Sequence, residues 1–144
     1  IANPPWNQDG YDEEVLKKAE HWSKRFEFGF PPRQSADWAW IEHMIASAKD
    51  GTGRVGVVID NGCLFRGGKE KTIRAKIIER DLIETIILLP EKLFYNTGAP
   101  GAVVIFNKNK PEFKATGPCE AKPPAPIVRE SKSALPLTVK SFLI

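Results

Sequence analysis

The first six residues, Ile1-Ala2-Asn3-Pro4-Pro5-Trp6, carry the groups best suited to chemistry. Two successive prolines fix two φ angles and remove two backbone donors. Pro4 also pushes Asn3 towards an extended conformation. The expected result is a stiff corner at the end of a strand, presenting an amide, carbonyls and an indole. The exocyclic amino group of a base has two N–H donors and a lone pair delocalised into the ring. The Asn3 side-chain oxygen and the Pro4 carbonyl could each accept one N–H, which would hold the nitrogen and draw its lone pair out of the ring plane towards an electrophile. Trp6 could stack on the base, since every base has a π-face. The same residues also read as a plain loop with a surface tryptophan, because Pro-Pro is a common turn signal. The elements that follow decide between the two.

The chain has 144 residues and 42% hydrophobic content, enough for one modest domain with its own core. A formal charge of +3 permits contact with nucleic acid without demanding it. Cys63 and Cys119 lie far apart, with no CxxC and no histidine in ligand spacing. This predicts two reduced thiols in a cytoplasmic protein, with neither disulfide nor metal. No apolar run is long enough to span a membrane and none reads as a signal peptide. The chain begins at Ile1, within an apparent strand-to-loop junction, so it is expected to be a piece of a longer protein.

Residues 7 to 34 are polar and aromatic. A helix from about Tyr11 to Lys24 is expected, with Val15, Leu16, Ala19 and Trp22 on one side. Phe26, Phe28 and Phe30 alternate, as in a short strand or a hydrophobic anchor. Lys17, Lys18, Lys24, Arg25 and Arg33 could meet phosphates. From Ser35 to Asp50 the spacing predicts a helix with Ser35 as N-cap, Asp37 in the first turn, and Trp38, Ile41, Met44, Ile45 and Ala48 facing a core. Arg54 to Asp60 is a short β-branched run, as in a strand buried on both faces. A glycine-bearing loop, Cys63 to Gly68, lacks the spacing of a phosphate loop. A second helix is expected from Lys69 to Arg80, with Ile73, Ile77 and Ile78 inward and Lys69, Lys71, Arg74 and Lys76 outward. Ile83 to Leu89 and Gly101 to Phe106 read as further strands, joined by a loop with Phe94 and Tyr95 at its near end. Strands alternating with helices predict an α/β protein. The last two strands lack a helix between them and should pair antiparallel. Six prolines after Lys110 break any regular pattern, so the chain divides into a domain of residues 1–110 and a Pro-rich, extended tail or linker of residues 111–144.

In this arrangement the chain resembles the amino-methyltransferases of DNA, and most closely the modification (M) subunit of type I restriction-modification systems. That family comprises S-adenosylmethionine-dependent adenine-N6 methyltransferases. Asn3-Pro4-Pro5-Trp6 matches its Asn-Pro-Pro-aromatic catalytic motif. Arg54 to Arg66 (RVGVVIDNGCLFR) is similar to its strand and following Leu-Phe-Arg-Gly loop, and Leu82 to Lys110 (LIETIILLPEKLFYNTGAPGAVVIFNKNK) to its closing hairpin. The resemblance covers roughly residues 1 to 110. It implies a partial Rossmann-like class I methyltransferase sheet, three-layer, with an antiparallel closing strand pair. It makes Asn3, Pro4, Pro5 and Trp6 catalytic, and gives Asn3 a place at the cofactor. Trp6, with Phe94 or Tyr95, would pack on an adenine flipped from duplex DNA. A specificity subunit and a restriction subunit are the implied protein partners.

The glycine-rich cofactor motif of the family lies upstream of Asn-Pro-Pro and is not in this sequence. Gly51-Thr52-Gly53 follows a helix and precedes a strand, which is the wrong context for it. The chain alone is therefore expected to bind S-adenosylmethionine weakly and to be inactive. A glutamine or RNA-base N-methyltransferase would use the same corner, and a non-catalytic truncated assembly module would keep the fold without turnover. Trp6 in place of tyrosine and the long closing segment favour DNA.

Overall fold

A computed structural model describes residues 1–18, 24–95 and 97–110, with the backbone of residues 127–130. Four strands form one sheet in the order β1-β3-β2-β4: β1 (Arg54–Asp60), β2 (Ile83–Leu88), β3 (Gly101–Asn107) and β4 (Ile127–Glu130). β3 is antiparallel to both neighbours, so β1 and β2 run in the same direction with β3 inserted between them. β4, from the Pro-rich segment, joins the far side of β2 in parallel. The other positions of residues 111–144, Cys119 among them, lie outside the described residues.

Ala2 makes a parallel bridge to Val57. Its N–H donates to the Gly56 carbonyl at 2.9 Å, and the Val58 N–H donates to the Ala2 carbonyl at 2.9 Å. The residues before the Pro-Pro corner therefore run alongside β1, on the edge opposite β3. The expectations of an α/β chain and an antiparallel closing pair both hold.

Helices α2 (Asp37–Ser47) and α3 (Lys69–Glu79) lie close to where their periodicity places them. Trp38, Ile41 and Ile45 of α2 and Ile73 and Ile77 of α3 join Val55, Val57, Ile59, Ala102, Val104, Phe106, Ile83 and Ile86 in one core. Those strand residues share one face of the sheet. A register irregularity between Ile83 and Thr85 puts Ile83 and Ile86 on that face although they are three apart. Both long helices thus cover the same side, and among the described residues no helical layer covers the other. This also corrects the reading of β1 as buried on both faces. Val55, Val57 and Ile59 are buried, whereas Gly56 and Val58 are only half-buried.

Four local expectations change or are decided. The N-terminal helix, α1 (Glu13–Leu16), is a single turn capped by the Asp12 side chain and closed at Lys17; Ala19 and Trp22 lie outside the described residues. Ser35 sits one residue before the N-cap position, which Ala36 occupies, and its hydroxyl accepts the Asp37 N–H. Arg74 is buried rather than outward, because its guanidinium donates to the carbonyls of Cys63 and Arg66, both at 3.1 Å. The alternating phenylalanines form no strand. Phe28 anchors in the main core, and Phe26 and Phe30 pack with Ala36 and Ala39 in a smaller one.

Glu42 on α2 is buried, with Oε2 accepting the Phe28 N–H at 3.1 Å and Oε1 unpartnered among the described residues. Burial pushes its carboxyl up to about 8, against the smaller opposing effect of the Phe28 and Gly29 N–H groups. The folded protein therefore holds one more proton than the unfolded chain between the ordinary value of 4.5 and about 8. That contribution to stability is complete below this window and is lost as pH rises through it. Glu42→Gln should flatten the decline, which otherwise approaches about 1.4 kcal/mol per pH unit. Urea melts of both proteins between about pH 5 and 8 check it; parallel curves would contradict the buried neutral carboxyl.

Candidate active site

The carboxyl ends of the Ala2 segment, β1 and β2 meet at one edge of the sheet, where ligands bind in open α/β sheets. Three connections converge there: the Pro-Pro corner, a 3-10 turn at Asn61–Leu64, and residues 89–100 before β3. They are tied together by the backbone. The Asn61 N–H donates to the Pro100 carbonyl at 3.0 Å, and the Leu89 N–H to the Gly101 carbonyl at 2.9 Å.

Of the corner residues, Asn3 and Pro5 are exposed, while Pro4 and Trp6 are half-buried. The Trp6 indole is fixed but not sealed. Its Nε1–H donates to the Val58 carbonyl at 3.2 Å. Its ring meets Phe94 edge-on, with centroids 4.8 Å apart and planes at 76°. Gly101 lies against both rings. A Cβ there would sit 2.8 Å from Phe94 and 2.9 Å from Trp6, so only glycine admits the pair in this arrangement. The structure thus separates the two aromatic candidates of this loop. Phe94 is brought to Trp6, whereas Tyr95 is fully exposed.

Beside the corner lies a charged cluster that sequence reasoning passed over. Arg66 pairs through Nε with Glu70 at 2.8 Å, through Nη1 with Asp60 at 2.7 Å and through Nη2 with Asp37 at 2.5 Å. All three carboxylates are buried. Burial alone would lower the Arg66 value, but Glu70, Asp60 and Asp37 together raise it, so the guanidinium stays charged. Burial would likewise raise the Asp60 carboxyl, yet the Asn7 amide, the Gly62 N–H and Arg66 hold it below the usual carboxylate range. Asn7, the residue after Trp6, has φ of 51°, in the left-handed region that asparagine tolerates. Two signals were available for this cluster. Arg66 and Glu70 have the i,i+4 spacing of a helix-entry pair, and Asp60 ends an apolar strand at the loop side.

Among the described residues no group of three or more His, Cys, Asp or Glu side chains is placed to hold a metal. No helix there is long and apolar enough to cross a membrane. Cys63 is buried, and burial pushes its thiol up.

Residues 1–122 match the family described as N-6 DNA Methylase. The MjaVII methylase subunit of a type I restriction enzyme from Methanocaldococcus jannaschii is 60% identical over 116 residues, covering 78% of this chain and 20% of that protein. The MjaVIII methylase subunit of the same organism is 55% identical over 112 residues, covering 78% and 19%. The crystal structure of a type I restriction-modification methyltransferase subunit from Streptococcus thermophilus superposes with a TM-score of 0.63 at 32% identity, over 75% of this chain and 23% of that one. The chain therefore spans about a fifth of the length of the curated relatives it matches. Its sequence and its fold agree on the same conclusion: this chain belongs to the N-6 DNA methylase family.

Proposed function

We propose that this chain is the base-gripping half of the catalytic domain in an adenine-N6 DNA methyltransferase, the modification subunit of a type I restriction-modification system. The observation that carries this is the corner itself. An exposed asparagine and a proline carbonyl stand at the carboxyl edge of the sheet, beside a half-buried indole locked by Val58 and Phe94. The four-strand sheet with its parallel Ala2 segment then forms part of a three-layer, Rossmann-like class I sheet, whose second helical layer lies in the remainder of the domain.

Asn3 Oδ1 and the Pro4 carbonyl accept the two N–H bonds of the adenine amino group and hold its nitrogen. Neither acceptor carries charge, so neither competes for a proton at neutral pH. Trp6 packs on the flipped base and Phe94 sets the indole's angle. Flipping is required because the amino group is otherwise paired inside the duplex. S-adenosylmethionine would supply an activated methyl group. The residues here fit only its reacting end, at Asn3 and Pro4. The isolated chain is accordingly expected to bind S-adenosylmethionine weakly in a calorimetric titration, and tight binding would contradict the division of the site. Duplex DNA is the substrate, with a specificity subunit and a restriction subunit as partners in the cytoplasm.

The test is a segment swap. The M. jannaschii MjaVII methylase subunit, carrying this segment in place of its own aligned stretch, is assembled with its specificity subunit and given duplex DNA and labelled methyl donor. Nucleoside analysis should find the label in N6-methyladenine. Label in cytosine, in RNA or on a protein glutamine would overturn the reading.

A further inference from the structure

Asn7 lies directly after the corner, and both its backbone and its side chain are held by the Arg66 cluster. Its N–H donates to Asp37 Oδ1 at 2.9 Å, and its amide Nδ2 to Asp60 Oδ2 at 3.0 Å. The other oxygen of Asp37, and the same Oδ2 of Asp60, are the atoms that Arg66 grips. We propose that Arg66 is a positioning residue for the reaction, acting through Asp37 and Asp60 on Asn7 and so fixing where Asn3 and Pro4 stand. This rests on the reading of the corner as the amino-group site.

The geometry favours positioning over packing. Asp37 opens α2, Asp60 ends β1 and Glu70 lies in the first turn of α3. These elements already share a core through Trp38, Ile41, Ile59, Ile73 and Ile77. The corner loop shares none of that core, and at Asn7 it is tied down only by the two carboxylates among its described hydrogen bonds. Without a cation, three buried carboxylates would repel one another and let Asn7 shift, leaving the corner held by its bonds at Ala2 and Trp6 and by the Gln8 carbonyl, which accepts the Ala36 N–H at 2.8 Å. A guanidinium can serve all three because its donors lie in a rigid planar fork, whereas an ammonium offers a compact point charge. The site is also built to admit the fork. A Cβ on Gly62 would sit 2.6 Å from Arg66 Nη1 and 2.8 Å from Asp60 Oδ2. Ser35 Oγ adds a further acceptor for Nη2 at 3.3 Å.

The test uses the segment-swapped subunit with its specificity partner, and reads kcat and KM separately. Arg66→Lys keeps the charge but loses the fork. It should lower kcat about 100-fold while KM for DNA stays within about 3-fold, the signature of misplaced rather than weakly bound substrate. Asn7→Gly keeps the left-handed turn and loses only the amide bond to Asp60. It should lower kcat about 10-fold in a protein whose thermal melt shows it still folded, and it decides the matter if Arg66→Lys does not fold. Wild-type kcat in a folded Arg66→Lys or Asn7→Gly protein would overturn the proposal, as would an effect confined to KM. Failure of the underlying reading looks different: Asn3→Ala would then leave transfer undiminished.

Discussion

Replacing Asn3 by alanine in the segment-swapped subunit should lower methyl transfer to duplex DNA on the order of 1000-fold, the scale lost when one preorganised hydrogen-bonding group is removed from a reacting centre. On the proposed reading, the substitution deletes one of the two acceptors that hold the adenine amino nitrogen. It should leave the fold untouched. Asn3 is exposed, and surface changes of this kind usually fall within about 0.5 kcal/mol. Urea melts and labelled-methyl transfer on the same preparation separate the two effects. A folded Asn3→Ala protein with undiminished transfer would remove Asn3 from the chemistry altogether.

The second large effect is expected at Gly101, a residue with no chemistry of its own. Gly101→Val would drive a branched side chain into the space between Trp6 and Phe94, where even a Cβ sits within 3 Å of both rings. The indole cannot move aside without giving up its bond to the Val58 carbonyl. Overpacking of this kind costs about 1–3 kcal/mol in stability. Displacing the indole, the proposed base platform, by even about 1 Å should cost transfer about 100-fold. The single variant Phe94→Leu separates these costs. It introduces no clash at Gly101, so it should cost little stability, but it should lose transfer, because the edge that sets the indole angle is gone. Undiminished transfer would show that the Trp6–Phe94 pair is structural filling.

The sequence already displayed much of this arrangement. The helical spacing of Trp38, Ile41 and Ile45, and the β-branched run from Val55 to Ile59, each report burial against one neighbour, so the local pattern suffices to find them. The Pro-Pro corner was legible because proline restricts the backbone wherever it occurs. What escaped depends on contacts between distant elements. Arg74 looks like one more solvated cation on a basic helix face. It is buried because the 3-10 turn at Asn61–Leu64 and the loop after it aim two carbonyls at it, and those carbonyls belong to residues eight and more positions away. Asp37 has the composition of an ordinary helix start, and nothing nearby in sequence reveals Arg66 across from it, 29 residues on. Phe94 and Tyr95 are adjacent and chemically alike. Only the glycine that opens β3 shows which of the two reaches the indole.

The same reasoning explains why the insertion of β3 between β1 and β2 could not be read from the order of elements alone. The absence of a helix between β2 and β3 dictates that they pair antiparallel. It leaves open which edge of β2 receives β3, and the free edge was then available to β4. Burial decides it. Ala102, Val104 and Phe106 complete one core face with residues of both β1 and β2, which a strand at the outer edge would not do.

The central claim is that Asn3 holds the amino group of a flipped adenine, and one measurement addresses that contact alone. Affinity is measured for two duplexes, one with adenine at the target position and one with purine, which lacks the 6-amino group, using both the wild-type and the Asn3→Ala segment-swapped subunit with its specificity partner. The adenine-to-purine affinity ratio should be about 10-fold larger for the wild type than for Asn3→Ala, the coupling expected of one buried hydrogen bond, because the Pro4 carbonyl keeps its own bond in both proteins. An identical adenine-to-purine ratio in the two proteins would mean that Asn3 does not touch the amino group.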